Sequence, residues 1–185
     1  MYTLRGILMT KSDTIPKTKK EGKTMPETLQ IKTKIGNIRI VAQEGNIIEV
    51  SFLPEDTILS KTETQNPVLQ EAKKQLIEYI EGKRREFDLP LHPVGTAFRQ
   101  KVWKELQKIP YGEVRTYQQI AIAIGNPKAC RAVGMANHCN KIGIIIPCHR
   151  VIGKDGTLTG YAGGLDKKEV LLQLEKQYKE TRKEW

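Results

Sequence analysis

Cys148 stands in the run Ile144-Ile145-Ile146-Pro147-Cys148-His149-Arg150-Val151-Ile152, where an apolar stretch delivers a thiol, a proline restricts the backbone before it, and an imidazole and a guanidinium follow. A thiol is a strong nucleophile only as thiolate, and neighbouring His or Arg charge is what lowers a cysteine pKa. The bland counterpart is a buried structural cysteine beside an unrelated His-Arg pair. Adjacent side chains of an extended segment point to opposite faces, so contact between thiol and ring needs a turn here, or a water between them. Downstream, Gly160-Tyr161-Ala162-Gly163-Gly164 sets one aromatic among residues that permit close backbone approach. Such a loop is either an ordinary connector or the wall of a flat, base-sized pocket with Tyr161 as a stacking surface. Glu175 follows Leu171 at i+4, at the edge of a stripe of Val170, Leu171, Leu174 and Tyr178, where a carboxylate can orient an imidazole in a nucleophile–His–acid relay.

The elements that must hold these groups follow from periodicity and punctuation. Ile38, Ile40 and Ala42 alternate with polar residues, Glu44-Gly45-Asn46 turns the chain, and Ile48, Val50 and Phe52 alternate again, which predicts a β-hairpin. Asn66-Pro67 opens an amphipathic helix carrying Leu69, Leu76, Ile77 and Ile80, and Gly82 ends it. Nothing in residues 1–92 suggests catalysis, and this lobe reads as a support. Residues 96–139 read as helical throughout. Thr96 caps a helix with Phe98, Val102, Leu106 and Ile109 on one face, and Pro110-Tyr111-Gly112 breaks it. Thr116 and Gln119 form a capping box for a helix burying Ile120, Ala121, Ala123 and Ile124. Gly125 stops that helix, Asn126 recaps, and Pro127 begins a third running to about Cys139, slim through Ala129, Ala132, Gly134 and Ala136, with Arg131 projecting. The pair has a helix-turn-helix outline.

The chain has 31 Lys and Arg against 21 Asp and Glu, a net charge of +10 that suits a polyanion partner such as nucleic acid and, on charge alone, equally a solvated Lys-rich surface. Residues 11–28, rich in Lys, Thr and Pro, read as an exposed or flexible segment. Three cysteines are too few for a disulfide framework and fit a reducing compartment. No apolar stretch approaches membrane-spanning length, and the first ten residues lack a signal-peptide cleavage pattern, so an intracellular protein is expected.

Pro147-Cys148-His149-Arg150-Val151, with Arg131-Ala132-Val133-Gly134 upstream and Tyr161-Ala162-Gly163-Gly164 downstream, closely resembles the O6-alkylguanine-DNA alkyltransferases, as does Pro110-Tyr111-Gly112-Glu113-Val114 with Tyr117-Gln118-Gln119. The agreement covers about residues 96–176. The resemblance implies an α+β fold: a small RNase H-like N-terminal lobe (31–92) after a partly flexible basic segment (1–30), then a mainly helical lobe (93–185) with a winged helix-turn-helix. It also implies a reaction. Cys148 would accept the alkyl group of O6-alkylguanine, mainly O6-methylguanine and also O4-methylthymine, irreversibly and once. His149 would act as base through water, Glu175 would orient it, Asn140 would hold the turn, and Tyr117 would assist guanine departure.

Arg131 would replace the extruded base, with Gln118, Asn126 and Lys154 on the DNA. Val151, Tyr161, Ala162 and Gly163 would form the lesion pocket. The partner would be double-stranded DNA bound by the minor groove, with a monomeric, cytoplasmic protein (nuclear in a eukaryote) and no cofactor. No metal is expected: the N-terminal lobe lacks the cysteines that hold zinc in some relatives, and His138, Cys139, Cys148 and His149 lack a close Cys-x-x-Cys pairing. Ala162 stands where many relatives have Ser, which removes one hydrogen bond to the base. Cys130 and Cys139 read as packed helix residues rather than second acceptors. Two other classes compete: a lesion-binding module without transfer, which relatives that have lost the cysteine exemplify, and a cysteine hydrolase, for which no separate oxyanion motif is visible.

Overall fold

The computed structural model describes residues 24–180, with side chains to residue 177, so the basic stretch before Thr24 and the Tyr178 ring lie outside the described residues. Three strands, β1 (Glu27–Thr33), β2 (Gly36–Gln43) and β3 (Asn46–Phe52), form an antiparallel meander in that order. The β2–β3 hairpin turns at Glu44-Gly45, both at positive φ, the geometry that matches strand twist. Two expectations change here. β1 begins at Glu27, inside the segment expected to be partly flexible to residue 30, because Leu29 and Ile31 alternate into the core. In β3 a bulge opposite Val41/Ala42 breaks the alternation, so Ile47 rather than Ile48 faces Ala42 and is buried.

Helix α1 (Pro67–Ile80) lies across this sheet. Asn66 caps it, its side-chain oxygen accepting from Val68 N at 3.0 Å and Leu69 N at 3.3 Å, and Pro67 takes the first position. Gly82 at φ 75° ends it, in the left-handed region that glycine enters without strain. Its buried face is Leu69, Ala72, Gln75, Leu76, Tyr79 and Ile80, with the expected Ile77 only half-buried.

The free edge of β3 does not face solvent. Ile47 exchanges hydrogen bonds with Pro90 O (2.8 Å) and His92 N (2.9 Å), and Val50 with Lys141 O (2.8 Å) and Gly143 N (2.9 Å). A strand edge exposes unpaired N–H and C=O groups, and here the second contact satisfies them with the segment that leads to Cys148. The sheet thereby fixes the approach to the thiol.

The second lobe contains α2 (Ala97–Leu106), α3 (Tyr117–Ala123), α4 (Cys130–His138) and α5 (Leu165–Glu180). It is not helical throughout 96–139: β4 (Arg115–Thr116) pairs in parallel with β5 (Val151–Ile152), and Ile109 is buried beyond the end of α2. Thr96 caps α2, and the Thr116–Gln119 capping box opens α3. Ala123 is exposed rather than buried. The turn after α3 also differs from expectation. Gly125 N bonds Ile122 O at 2.8 Å and Asn126 N bonds Ala121 O at 2.9 Å, a Schellman stop that uses Asn126 to finish α3 instead of capping α4. Helix α4 therefore starts at Cys130, three residues after Pro127, with no side-chain cap. Trp103 of α2 donates to Ala136 O at 2.8 Å, tying α2 to α4. Val170, expected in the buried stripe of α5, is 39% exposed; the buried face is Lys168, Leu171, Leu174 and Glu175.

Candidate active site

The apolar run ends in an irregular backbone. Ile144 has φ 67°, Pro147 has φ −82° and ψ 60°, and Cys148–Arg150 form one 3-10 turn rather than an extended segment. This turn is the bend that neighbouring thiol and imidazole require. Asn140 holds it from α4's end: its amide donates to Ile146 O at 2.9 Å and to Cys148 Sγ at 3.1 Å, while its oxygen accepts from Ile142 N at 3.0 Å. Cys148 is 2% exposed. Burial pushes its thiol up, opposed by the Asn140 hydrogen bond and, more weakly, by the Lys168 charge. The expectation that the adjacent Arg lowers the thiol is thus overturned, because that guanidinium is engaged elsewhere and the resting sulfur is protonated.

Arg150 reaches away from the sulfur to Glu175. Its Nε lies 3.0 and 3.1 Å from the two carboxylate oxygens, Nη2 2.8 Å from Oε1, and Nη1 donates to Ile109 O at 2.6 Å. His149, fully buried, places Nε2 3.0 Å from Glu175 Oε1. Its Nδ1 is buried with no hydrogen-bond partner among the described residues. Beside an ionised carboxylate Nε2 carries the proton, so Nδ1 is left as an acceptor. Burial lowers the imidazole pKa against the pull of Glu175, and the ring rests neutral. For Glu175, burial is outweighed by hydrogen bonds and charge from His149 and Arg150, which hold its pKa at about 2.

Two further donors to Glu175 were not visible in the sequence. Gly112 N, from the Pro-Tyr-Gly break, donates to Oε2 at 2.8 Å. Tyr79, from α1 of the lobe read as a mere support, donates its phenol to Oε1 at 2.5 Å and lies 3.5 Å from His149 Nε2. Burial first, and then the Glu175 charge, raise its pKa well above the ordinary phenol, so it remains a donor. A tyrosine at helical spacing reads as core, and only its partner, far along the chain, shows its second task. Tyr79→Phe keeps the ring contacts with Phe87 and Tyr111 but removes one donor from a buried carboxylate. It is expected to cost about 1.5–3 kcal/mol, read as a lower urea midpoint; an unchanged midpoint would contradict the assignment.

Cys148 opens on a cavity of about 610 Å³. Tyr161, Ala162, Gly163, Gly143 and Asn140 line it from the helical lobe, and Arg39, Glu49, Ser51 and Phe52 from the sheet. Tyr161 stands edge-on to His149, ring centroids 6.4 Å apart. Gly163 is required there, since a Cβ would come within 2.8 Å of the Tyr161 ring and 2.9 Å of Phe52. Val151 is a correction: fully buried and paired with Arg115 in the β4–β5 ladder, it is not among the lining residues. Tyr117 also lies outside the lining, its phenol donating to Thr159 O at 2.9 Å and its ring resting beside Gly134. Cys139 does line the cavity, whereas Cys130 is held at 2.8 Å from Gln118 Oε1. Arg131, Gln118, Asn126 and Lys154 are all exposed, the first three on the helix-turn-helix and Lys154 after β5. Among the described residues, no group of three or more His, Cys, Asp or Glu gathers as a metal site, and no helix is long and apolar enough to cross a membrane.

Fold and site together define a two-lobed helix-turn-helix protein with a buried cysteine at the wall of a cavity and a His–Glu pair beginning at the next residue. Residues 28–93 match the family model described as 6-O-methylguanine DNA methyltransferase, ribonuclease-like domain, and residues 97–177 its DNA binding domain. The methylated-DNA–protein-cysteine methyltransferase of Methanosarcina barkeri is 51% identical over 153 residues, 78% of this chain and 94% of the relative. The constitutive enzyme of that name from Bacillus subtilis is 48% identical, covering 80% and 95%. In structure, the chain resembles the O6-methylguanine methyltransferase of Mycobacterium tuberculosis, with TM-score 0.75 and 42% identity over 83% of this chain and 94% of that one. The form of the M. tuberculosis protein solved in complex with DNA gives 0.73 and 43%, over 82% and 93%. The chain belongs to the 6-O-methylguanine DNA methyltransferase family.

Proposed function

We propose that this protein repairs DNA by moving the alkyl group of O6-alkylguanine, chiefly O6-methylguanine and also O4-methylthymine, onto its own Cys148, once per molecule. The observation that carries this reading is a buried thiol held by Asn140 at the wall of a cavity, followed in the same turn by a His149 paired with Glu175, beside a helix-turn-helix. The reaction runs as follows. A water accepted at the open His149 Nδ1 takes the thiol proton to the ring, and Glu175 compensates the imidazolium. The thiolate attacks the alkyl carbon, an S–C bond forms, and the C–O6 bond breaks. The departing guanine takes one proton from the Tyr117 phenol once that leaves Thr159 O, and water returns the imidazolium proton of His149 to the tyrosinate, so the proton lost by sulfur ends on the guanine. A thioether is a poor leaving group, so the acceptor is spent.

The target atom is stacked inside a duplex, and the base must swing out at a cost of a few kcal/mol. Arg131, exposed on α4, would fill the gap from the minor groove, while Gln118, Asn126 and Lys154 hold the backbone, all as a monomer in the cytoplasm. Tyr161, Ala162 and Gly163 would receive the base. Mixed with excess methylated duplex, the protein should demethylate one equivalent and stop; continued turnover would contradict single use. Arg131→Ala should slow repair of duplex by about tenfold or more while leaving reaction with free O6-methylguanine base near normal. Equal losses on both substrates would remove Arg131 from the extrusion step.

A further inference from the structure

The run from Ile144 to Arg150 faces two cavities. Ile144 and Cys148 line the one described above, whereas Ile145, Pro147 and Arg150 line a second, of about 580 Å³. No residue lines both. The second cavity lies between the end of α2 and the segment 85–91 that follows α1. The proposed alkyl transfer makes no use of it.

Arg150 is 6% exposed and still has hydrogen-bonding capacity to offer there. A guanidinium carries one N–H on Nε and two on each terminal nitrogen. Glu175 takes the Nε donor and one from Nη2, and Ile109 O takes one from Nη1. One N–H on each terminal nitrogen is therefore without a partner among the described residues. A buried charged group with unmade hydrogen bonds is costly, so the pair calls for an acceptor. The cavity is also rich in positive charge. The guanidinium carbons of Arg85 and Arg150 lie 5.6 and 5.8 Å from the centroid of one ring, that of Tyr111. Lys108 stands at the rim in an exposed pair with Glu105 at 2.7 Å, the kind of pair that contributes little. Among the described residues that line the cavity, Glu86 is the one acid.

We infer that this cavity is a binding site for a small organic anion, a phosphate or carboxylate carried on a flat ring. The two unpaired N–H groups of Arg150 receive the oxyanion, since guanidinium donors match carboxylate and phosphate oxygens. Arg85 and Lys108 add charge from the sides, and the Phe87 and Tyr111 rings take the flat body. Arg150 would then be shared, with Glu175 on one edge and the ligand on the other, so that an occupied cavity touches the relay from behind. The site uses neither Cys148 nor the exposed face of the helix-turn-helix. Its failure would leave the repair reading standing, and failure of the repair reading would leave the site.

The test is a titration of the full chain with phenyl phosphate, followed by proton–nitrogen NMR at low ionic strength, where exposed charges are least screened. The Arg150 Nε–H and the Tyr111 backbone amide should shift together and saturate, with a Kd of about 1 mM or tighter. Benzyl alcohol, which keeps the ring and lacks the anion, should shift neither. Arg85→Gln combined with Lys108→Gln should weaken phenyl phosphate by about tenfold or more, and Lys108→Gln alone, at an exposed position, by a smaller factor. The wild-type shifts at Arg150 decide the matter by themselves if the double variant does not fold. Three results would overturn the inference: no saturation at Arg150 and Tyr111, equal shifts with benzyl alcohol, or unchanged affinity in a folded double variant. Shifts confined to Arg131 and Lys154 would put the anion on the DNA-facing surface and overturn it as well.

Discussion

A Cys148→Ser protein is expected to fold, to bind a methylated duplex as tightly as the parent, and to transfer no detectable methyl group. Serine occupies nearly the same volume, so the apolar packing of Ile144 and Ile146 and the Asn140 hydrogen bonds that shape the turn persist. What disappears is an acid that a neutral imidazole can deprotonate. Burial raises the Cys148 thiol above its ordinary range, yet a serine hydroxyl is a far weaker acid still. The comparison is informative because a second thiol, Cys139, lines the same cavity. Methyl transfer by the serine variant, measured as label retained on protein, would move the acceptor to that position.

The second large effect is expected from Glu175→Gln. Glutamine keeps the shape but leaves the buried Arg150 guanidinium without its anion, which typically costs about 3–5 kcal/mol. Its amide can also donate to His149 Nε2, driving the ring proton to Nδ1 and removing the acceptor that the proposed proton transfer uses. Mispairing of this kind in a relay lowers rates on the order of a hundredfold or more. The acid limb of stability carries the same signature. The folded carboxyl titrates at about 2, against about 4.3 for an ordinary glutamate. Between those values the unfolded chain binds more protons, so stability is whole above about 4.3 and falls as pH drops toward 2, by about 3 kcal/mol. Urea unfolding followed from pH 5 to pH 2 should show that decline in the parent and a flatter one in the glutamine variant. Parallel curves and equal transfer rates would contradict the relay.

Local chemistry in the sequence announced much of this protein. Asn66-Pro67 and the Thr116–Gln119 box mark helix starts because caps act within one turn, and the Pro-Cys-His-Arg run marks the turn that bears the nucleophile. What stayed hidden depends on partners distant in sequence. Tyr79 reads as one more core residue of α1 until α5 brings Glu175 against it, 96 positions later. Arg150 reads as an activator of the adjacent thiol, yet Glu175 and Ile109 claim it. Asn126 has the chemistry of a helix cap, but the Schellman stop of α3 reaches it first. The bulge that buries Ile47 is equally silent, since one inserted residue on a strand leaves both alternations plausible.

The lobe read as a support proves to be part of the site. Its edge strand hydrogen-bonds the segment before Cys148, its Phe52 bounds the cavity, and its Tyr79 completes the shell of Glu175. The most direct measurement is peptide mass after the protein is mixed with duplex O6-methylguanine. One methyl group on the peptide containing Cys148, at one per chain, is the predicted result. Methyl loss from the DNA with that peptide unchanged, or tight binding with no methyl moved at all, would contradict it.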